Sequence, residues 1–173
     1  VDGVLARLRA EVEVTSGGDA PGIDDLPRLP FTAAVLDEVL RLYPPAWLVT
    51  RRSLEPDELG GVEVPADALI IVSPWIVHRD ERLWPDPERF DPDRFLDEHG
   101  ARRRDLVASS AYLPFGAGPR LCIGRDMALL EGILVLASLV TKVDLERVEP
   151  PPRAVPLVTV RPDHGLPLRL KVR

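Results

Sequence analysis

The only cysteine of this 173-residue chain, Cys122, sits in FGAGPRLCIG, residues 115–124, just ahead of an apolar run. The residue types there suit ligation of a metal by sulfur. Amide N–H groups at a helix start lack intrahelical partners and carry partial positive charge, so a sulfur beside them is favoured as the thiolate. Gly116, Gly118 and Gly124 remove side chains around the sulfur, which lets a flat, bulky ligand approach the backbone. Phe115 can pack near the sulfur, and Arg120 can meet an anionic group. Thiolate, open backbone, aromatic ring and cation together describe an axial-ligand site for a porphyrin with carboxylate tails. Two other readings stand beside it. A free cysteine is commonly a small buried hydrophobe, or it can be a nucleophile paired with a histidine. None of His78, His99 and His164 lies in a recognisable catalytic context.

A second constellation lies in LDEVLRLYPP, where Glu38 and Arg41 stand one helical turn apart and can pair directly. Asp37, Glu38 and Arg41 also share one helical sector, so a solvated face of an amphipathic helix explains them equally well. His78, in VHRDER, reads as a helix end or a coil cap rather than a metal ligand. Asp57, Glu58, Glu63 and Asp67 read as solvated hairpin charges, since unpaired acids are almost never fully buried.

These residues need elements to hold them. Val1, Val4, Leu5, Leu8 and Val12 recur at helical spacing, and TSGGDAPGIDD, residues 15–25, reads as a loop. A helix is expected over 32–43, with Thr32 as N-cap and Pro44-Pro45 as its stop. Residues 48–73 turn β-like, with ELGGVEV and ALIIV flanking Pro65-Ala66-Asp67 as a hairpin, and a short helical piece follows over 74–82. The stretch 84–95, WPDPERFDPDRF, carries three prolines and reads as ordered coil pinned by its aromatics. Residues 97–105 read as a solvated loop and 124–141 as an apolar core helix. VPLVTV and LPLRLKV flank Pro162-Asp163-His164-Gly165 as a closing hairpin over 155–172, with Leu166, Leu168, Leu170 and Val172 alternating.

Composition narrows the function classes. Apolar residues make up 45% and charged residues 29%, which suits a globular domain. A net charge of −6 offers no basic field for phosphates and argues against a nucleic-acid partner. One cysteine cannot close an internal disulfide or build a structural zinc site. No signal peptide opens the chain, and the lone thiol suits a reducing, cytoplasmic setting. The apolar run 127–140 is interrupted by Glu131 and falls short of the ~20 residues of a membrane span. The chain begins in a helical pattern without a cap or an initiator Met, which is expected of a truncation.

Phe115, Gly118, Arg120, Cys122 and Gly124, read as F-x-x-G-x-R-x-C-x-G, resemble the haem-binding signature of the cytochrome P450 family. Glu38-x-x-Arg41 followed by a Pro-rich exit resembles that family's E-x-x-R helix. The resemblance implies an α+β fold, mainly helical with small β-sheets and long ordered coil, equal to the C-terminal part of the P450 fold. It covers 1–173 as one partial domain: E-x-x-R helix 32–43, Pro/aromatic coil 84–95, haem loop 115–124, proximal helix 124–141, C-terminal hairpin 155–172.

What it implies chemically is haem-thiolate monooxygenation of a small organic substrate, with haem b as cofactor and Cys122 as axial ligand to the iron. Phe115, Gly116, Gly118, Arg120 and Gly124 would line the haem, and Arg51, preferred over Arg52, would meet a propionate. Arg94, preferred over Arg89, would join Glu38 and Arg41 in a structural triad. An electron-donor protein, a ferredoxin or a flavin reductase, would dock near Arg120 and Arg125. The family's oxygen-activating helix has no counterpart here, since Asp19 and Thr15 flank a loop. The alternative is a non-enzymatic remnant with weak or no haem binding. Either way a broad apolar surface is expected.

Overall fold

One helix shared by two apolar cores organises the molecule. The computed structural model describes residues 2–148 and 150–173; Val1, the first position of the expected opening helix, lies outside them. Helix α1 spans Asp2–Ser16, α2 Pro30–Leu42, α3 Pro74–Val77, α4 Arg104–Val107 and α5 Arg125–Lys142. Helix α2 gives Phe31, Ala33 and Val35 to a core with Leu8 and Val12 of α1 and Ile133, Ala137 and Val140 of α5. It gives Ala34 to a second core with Trp84, Phe95 and Tyr112. Each large side chain so buried contributes roughly 1.5–3 kcal/mol, which makes α2 the shared wall of both cores. Gly132 brings α5 close to α2: a Cβ there would stand 2.8 Å from Leu36 Cδ2.

The start of α2 differs from the sequence expectation. Helix α2 begins at Pro30, and Leu29, not Thr32, takes the cap position. Proline suits a first helical turn because its missing N–H would have no partner there. The next free donors turn to Glu11 of α1, which accepts from Phe31 N at 2.7 Å, Thr32 N at 2.8 Å and Thr32 Oγ1 at 2.7 Å. A carboxylate at a helix N-terminus also meets favourable partial charge. Two residues earlier on α1, Arg9 donates to the Val140 and Val143 carbonyls, 3.0 and 3.2 Å, and pairs with Asp144 at 2.6 Å. The expected loop at 15–25 is partly helical. Thr15 and Ser16 close α1, and a 3₁₀ turn covers Ile23–Arg28.

Among the described residues, four two-stranded antiparallel ladders complete the fold. Strand β1 is Val49–Arg52, β2 Asp57–Leu59, β3 Val62–Val64, β4 Leu69–Val72, β5 Val143–Arg147, β6 Ala154–Pro156, β7 Val160–Pro162 and β8 Leu168–Val172. The class is the expected mixture of helices and small sheets, but both hairpins pair differently. Strand β2 pairs with β3 around Gly60-Gly61, whose φ angles of +59° and +83° suit a two-residue hairpin turn, while β4 returns to β1. The closing hairpin over 155–172 is likewise replaced. Strands β6 and β7 pair with each other, and β8 pairs with β5, Leu145 opposite Leu170. On β5, Val143 faces Val172 and Leu145 faces Leu170, while Leu168 faces Arg147; β7 ends on Pro162, which lacks a donor for such a ladder. Leu170 and Val172 stay exposed, as do Ile123, Met127 and Val135.

Candidate ligand-binding loop and its buried scaffold

The segment from Tyr112 to Gly124 leaves the second core and enters α5 through two reversals. Gly116 and Gly118 have φ angles of +74° and +67°, a region that strains residues bearing a Cβ. The backbone closes on itself: Gly116 N donates to Leu113 O at 3.1 Å, Cys122 N to Phe115 O at 3.0 Å, and Leu121 N to Gly118 O at 3.0 Å. Gly124 is the residue before α5, and a Cβ on it would lie 3.9 Å from Cys122 Sγ. Its φ of −87° is ordinary, so it keeps space beside the sulfur rather than permitting a turn. The helix starts at Arg125, one residue later than expected. Cys122 is exposed, which removes the buried-hydrophobe reading of the thiol.

Cys122 opens into a cavity of about 760 Å³, within the usual range for small-molecule sites. Phe115, Gly116, Arg120 and Cys122 line it from the loop, and Arg51 and Arg52 line it from β1. Pro45, Ala46, Val49, Leu54, Pro114 and Thr159 give it a mainly apolar wall, and the lining contains three arginines and no acid. Arg51 Nη1 bonds only its neighbouring Thr50 carbonyl, 2.8 Å away, whereas Arg52 leans towards Asp67 at 3.7 Å. Gly118 and Gly124 shape the loop without lining the cavity. The rim is held by Val160 N on Pro45 O at 3.0 Å and by Trp47 Nε1 on Leu157 O at 2.8 Å. An exposed thiol, an apolar wall and unneutralised guanidinium groups fit a flat apolar ligand that carries carboxylates and takes one sulfur ligand.

Behind the loop lies a buried polar scaffold. Glu38 and Arg41 have fully buried side chains and meet in two bonds, Nε to Oε2 at 2.6 Å and Nη2 to Oε1 at 2.9 Å. This overturns the solvated-face reading of Asp37, Glu38 and Arg41. Arg41 Nη1 also donates to His78 O at 2.7 Å, and Asp91 N donates to Glu38 Oε1 at 2.8 Å. Arg94 Nε approaches Glu38 Oε1 to 3.4 Å without a hydrogen bond, while its other nitrogens donate to the Pro85 and Asp86 carbonyls. Arg89 is exposed, and its carbonyl accepts from Arg41 and Arg94 at 3.3 and 3.4 Å. Of the two coil arginines, Arg94 is therefore the one whose guanidinium faces Glu38.

Three residues were missed as members of this scaffold. Arg102, read as part of a solvated loop, grips buried Asp37 with two bonds of 2.6 and 2.7 Å. Tyr112 donates its hydroxyl to Asp37 O at 3.0 Å and Oδ1 at 3.1 Å. His78 follows α3 and is fully buried, with Nδ1 3.0 Å from Arg41 O and Nε2 accepting from Leu113 N at 2.7 Å. Burial pushes Asp37 up from the ordinary carboxylate range, against the pull of Arg102 and Tyr112. Burial also raises Tyr112 well above its usual value, keeping it a donor. Desolvation, with Arg41 and Arg79 nearby, lowers His78 to about 4. The sequence shows no marker for these contacts: Arg102 is one of three consecutive arginines, and pairing over 65 residues leaves no periodicity.

Comparison with known proteins adds an independent line. The sequence model of the family described as Cytochrome P450 matches residues 3–166. Cyclooctatin synthase of Streptomyces melanosporofaciens is 47% identical over 79% of this chain and 29% of its own length. Pentalenene oxygenase of Streptomyces avermitilis is 40% identical over 98% of this chain and 37% of its own. The Arabidopsis thaliana protein LUTEIN DEFICIENT 5, chloroplastic, is 35% identical over 98% of this chain and 29% of its own. The chain thus spans about a third of the length of these curated relatives.

Proposed function

Because this chain belongs to the cytochrome P450 family, a family of haem monooxygenases, we propose that it is the haem-ligating portion of an enzyme that inserts one atom of dioxygen into a small organic substrate. The observation that carries the reading is the shared cavity, in which the exposed Cys122 thiol and the guanidinium groups of Arg51 and Arg120 stand on one largely apolar wall. Haem b would suit it: the guanidinium groups of Arg51 and Arg120 would hold its two propionates, and the Cys122 sulfur would ligate its iron. When bound, haem supplies dioxygen activation, which an anionic sulfur ligand favours by donating electron density.

The chain's own residues bind and orient. Cys122 presents its sulfur from a loop closed by its N–H on Phe115 O. Gly124 leaves room beside that sulfur, and Phe115 and Pro114 contribute apolar wall to the same cavity. Arg51 and Arg120 hold carboxylates, and the Glu38–Arg41–Arg94 group is structural, fixing the coil and the loop against α2. An electron-donor protein, a ferredoxin or a flavin reductase, completes the proposal, with Arg120 and Arg125 on its docking side. Among the described residues no helix is long and apolar enough to cross a membrane. A cytoplasmic setting is part of the proposal. The names pentalenene oxygenase and cyclooctat-9-en-7-ol 5-monooxygenase support oxygenation of an organic molecule, without fixing which one.

The test is a reduced carbon-monoxide difference spectrum of the haem-reconstituted chain, with Cys122→Ala as control. A thiolate-type Soret band that the variant loses supports the reading. A wild-type spectrum without that band favours a chain that folds around α2 and binds no haem through Cys122.

A further inference from the structure

We propose that His78 is a positioning residue for the Cys122 loop, holding the loop's incoming stem against the C-terminal turn of α2. The inference rests on the haem-thiolate reading only for its consequence at the sulfur; the clamp itself is built from contacts within this chain.

Both ring nitrogens of His78 are committed. Leu113 N–H can only donate, so Nε2, 2.7 Å away, is the acceptor. The ring proton therefore sits on Nδ1 and is donated to Arg41 O at 3.0 Å. Arg41 answers by donating Nη1 to the His78 carbonyl at 2.7 Å, so the two residues hold each other through two different contacts. The imidazole also stacks on Tyr112, 5.5 Å between centroids and 24° between planes. Tyr112 in turn bonds Asp37 of α2. Consecutive residues 112 and 113 are thus tied to α2, one by a phenol and the other by an imidazole.

This stem leads directly to the thiol. Leu113 O accepts from Gly116 N at 3.1 Å, and Phe115 O accepts from Cys122 N at 3.0 Å. A Leu113 that is free to move releases the first bond and loosens the second, and Cys122 with it. The clamp works with one neutral tautomer. A second ring proton would aim an N–H at the Leu113 N–H. Burial and the cations of Arg41 and Arg79 oppose that proton, while the Arg41 carbonyl favours it. The remaining rings against His78 are Tyr112, held protonated, and Trp84, which does not titrate.

The test compares wild type, His78→Phe and His78→Gln. Amide hydrogen exchange is read in the haem-free full chain, and the fraction of thiolate-type carbon-monoxide complex in the reconstituted chain. Phe keeps the ring and loses both nitrogens. It should speed exchange at Leu113 and Cys122 by about tenfold, the scale of one lost hydrogen bond, while Val12 and Ala137 keep their protection. The thiolate-type fraction should fall in step. Gln, whose side-chain carbonyl can accept from Leu113 N–H, should recover most of both readouts. Unchanged Cys122 exchange in His78→Phe overturns the proposal, and so does acceleration that merely parallels Val12 and Ala137. Should His78→Phe fail to fold, acidifying wild type from pH 6.5 to 4 decides instead. The Cys122 amide, corrected for its intrinsic rate, should open in wild type, and His78→Gln should lack that transition; a variant that retains it overturns the clamp. A wild type with no thiolate-type band but an exchange pattern as expected leaves the clamp standing and removes the haem reading.

Discussion

Glu38 and Arg41 meet through two hydrogen bonds of 2.6 and 2.9 Å with neither side chain reaching solvent. Removing one partner leaves the other charged and buried, a change that costs about 3–5 kcal/mol. Glu38→Ala and Arg41→Ala should each lose about that much in urea unfolding. Arg94→Ala should lose less, because Arg94 approaches Glu38 without bonding it. Equal losses for all three variants would contradict this ranking.

Asp37 and Arg102 form another bidentate pair of this scaffold, and here only Asp37 is fully buried. A double-mutant cycle with Asp37→Asn and Arg102→Ala should return a coupling of about 0.5–3 kcal/mol, the range for residues in one polar network. Additive losses would show that the two side chains act independently.

Stability should depend on pH through His78. Its folded value, about 4, lies below the ordinary 6.5, so between those two pH values the unfolded chain binds the extra proton and the folded chain does not. The contribution is fully present above pH 6.5 and is lost as pH falls towards 4, by about 3 kcal/mol in all. Asp37 is shifted up, so its contribution runs the opposite way, weakening as pH rises past its ordinary value. The difference between wild type and His78→Gln isolates the imidazole. Its unfolding free energy should change in that window and stay flat above it.

Cys122 is exposed on the cavity wall. In the haem-free chain it should react with a disulfide reagent within a small factor of an unstructured thiol, and saturating haem should suppress labelling by about tenfold or more through mass action. Labelling that ignores haem would separate the thiol from the ligand site.

The helix carrying Glu38 and the loop carrying Cys122 were legible because their residues lie close together in the chain. Glycine spacing signals a turn locally, and Glu-x-x-Arg signals a pair on one helix. What bound these parts together was not. Leu113 and His78, or Asp37 and Arg102, join side chains or backbone groups across long stretches of sequence, and neither periodicity nor composition marks the partner. The burial of Asp37, Glu38 and Arg41 reversed the solvated reading because their partners came from distant coil. The strands failed for a related reason. Alternation at Leu168, Leu170 and Val172 announced a strand but not its neighbour, and β5 made the better mate than the adjacent β7.

Arg9 joins α1 to carbonyls 131 and 134 residues further along the chain, and the first core draws Leu8 and Val12 together with Ile133, Ala137 and Val140. On a ribosome adding roughly 5–20 residues per second, α1 and α2 emerge seconds before α5 exists. Until then α1 and α2 lack the Ile133, Ala137 and Val140 side of their shared core, and closing so long a loop is entropically slow. That side of the core therefore stays open during synthesis, and holdase chaperones, rather than a faster intrinsic folding rate, should govern how much of the chain reaches the native state.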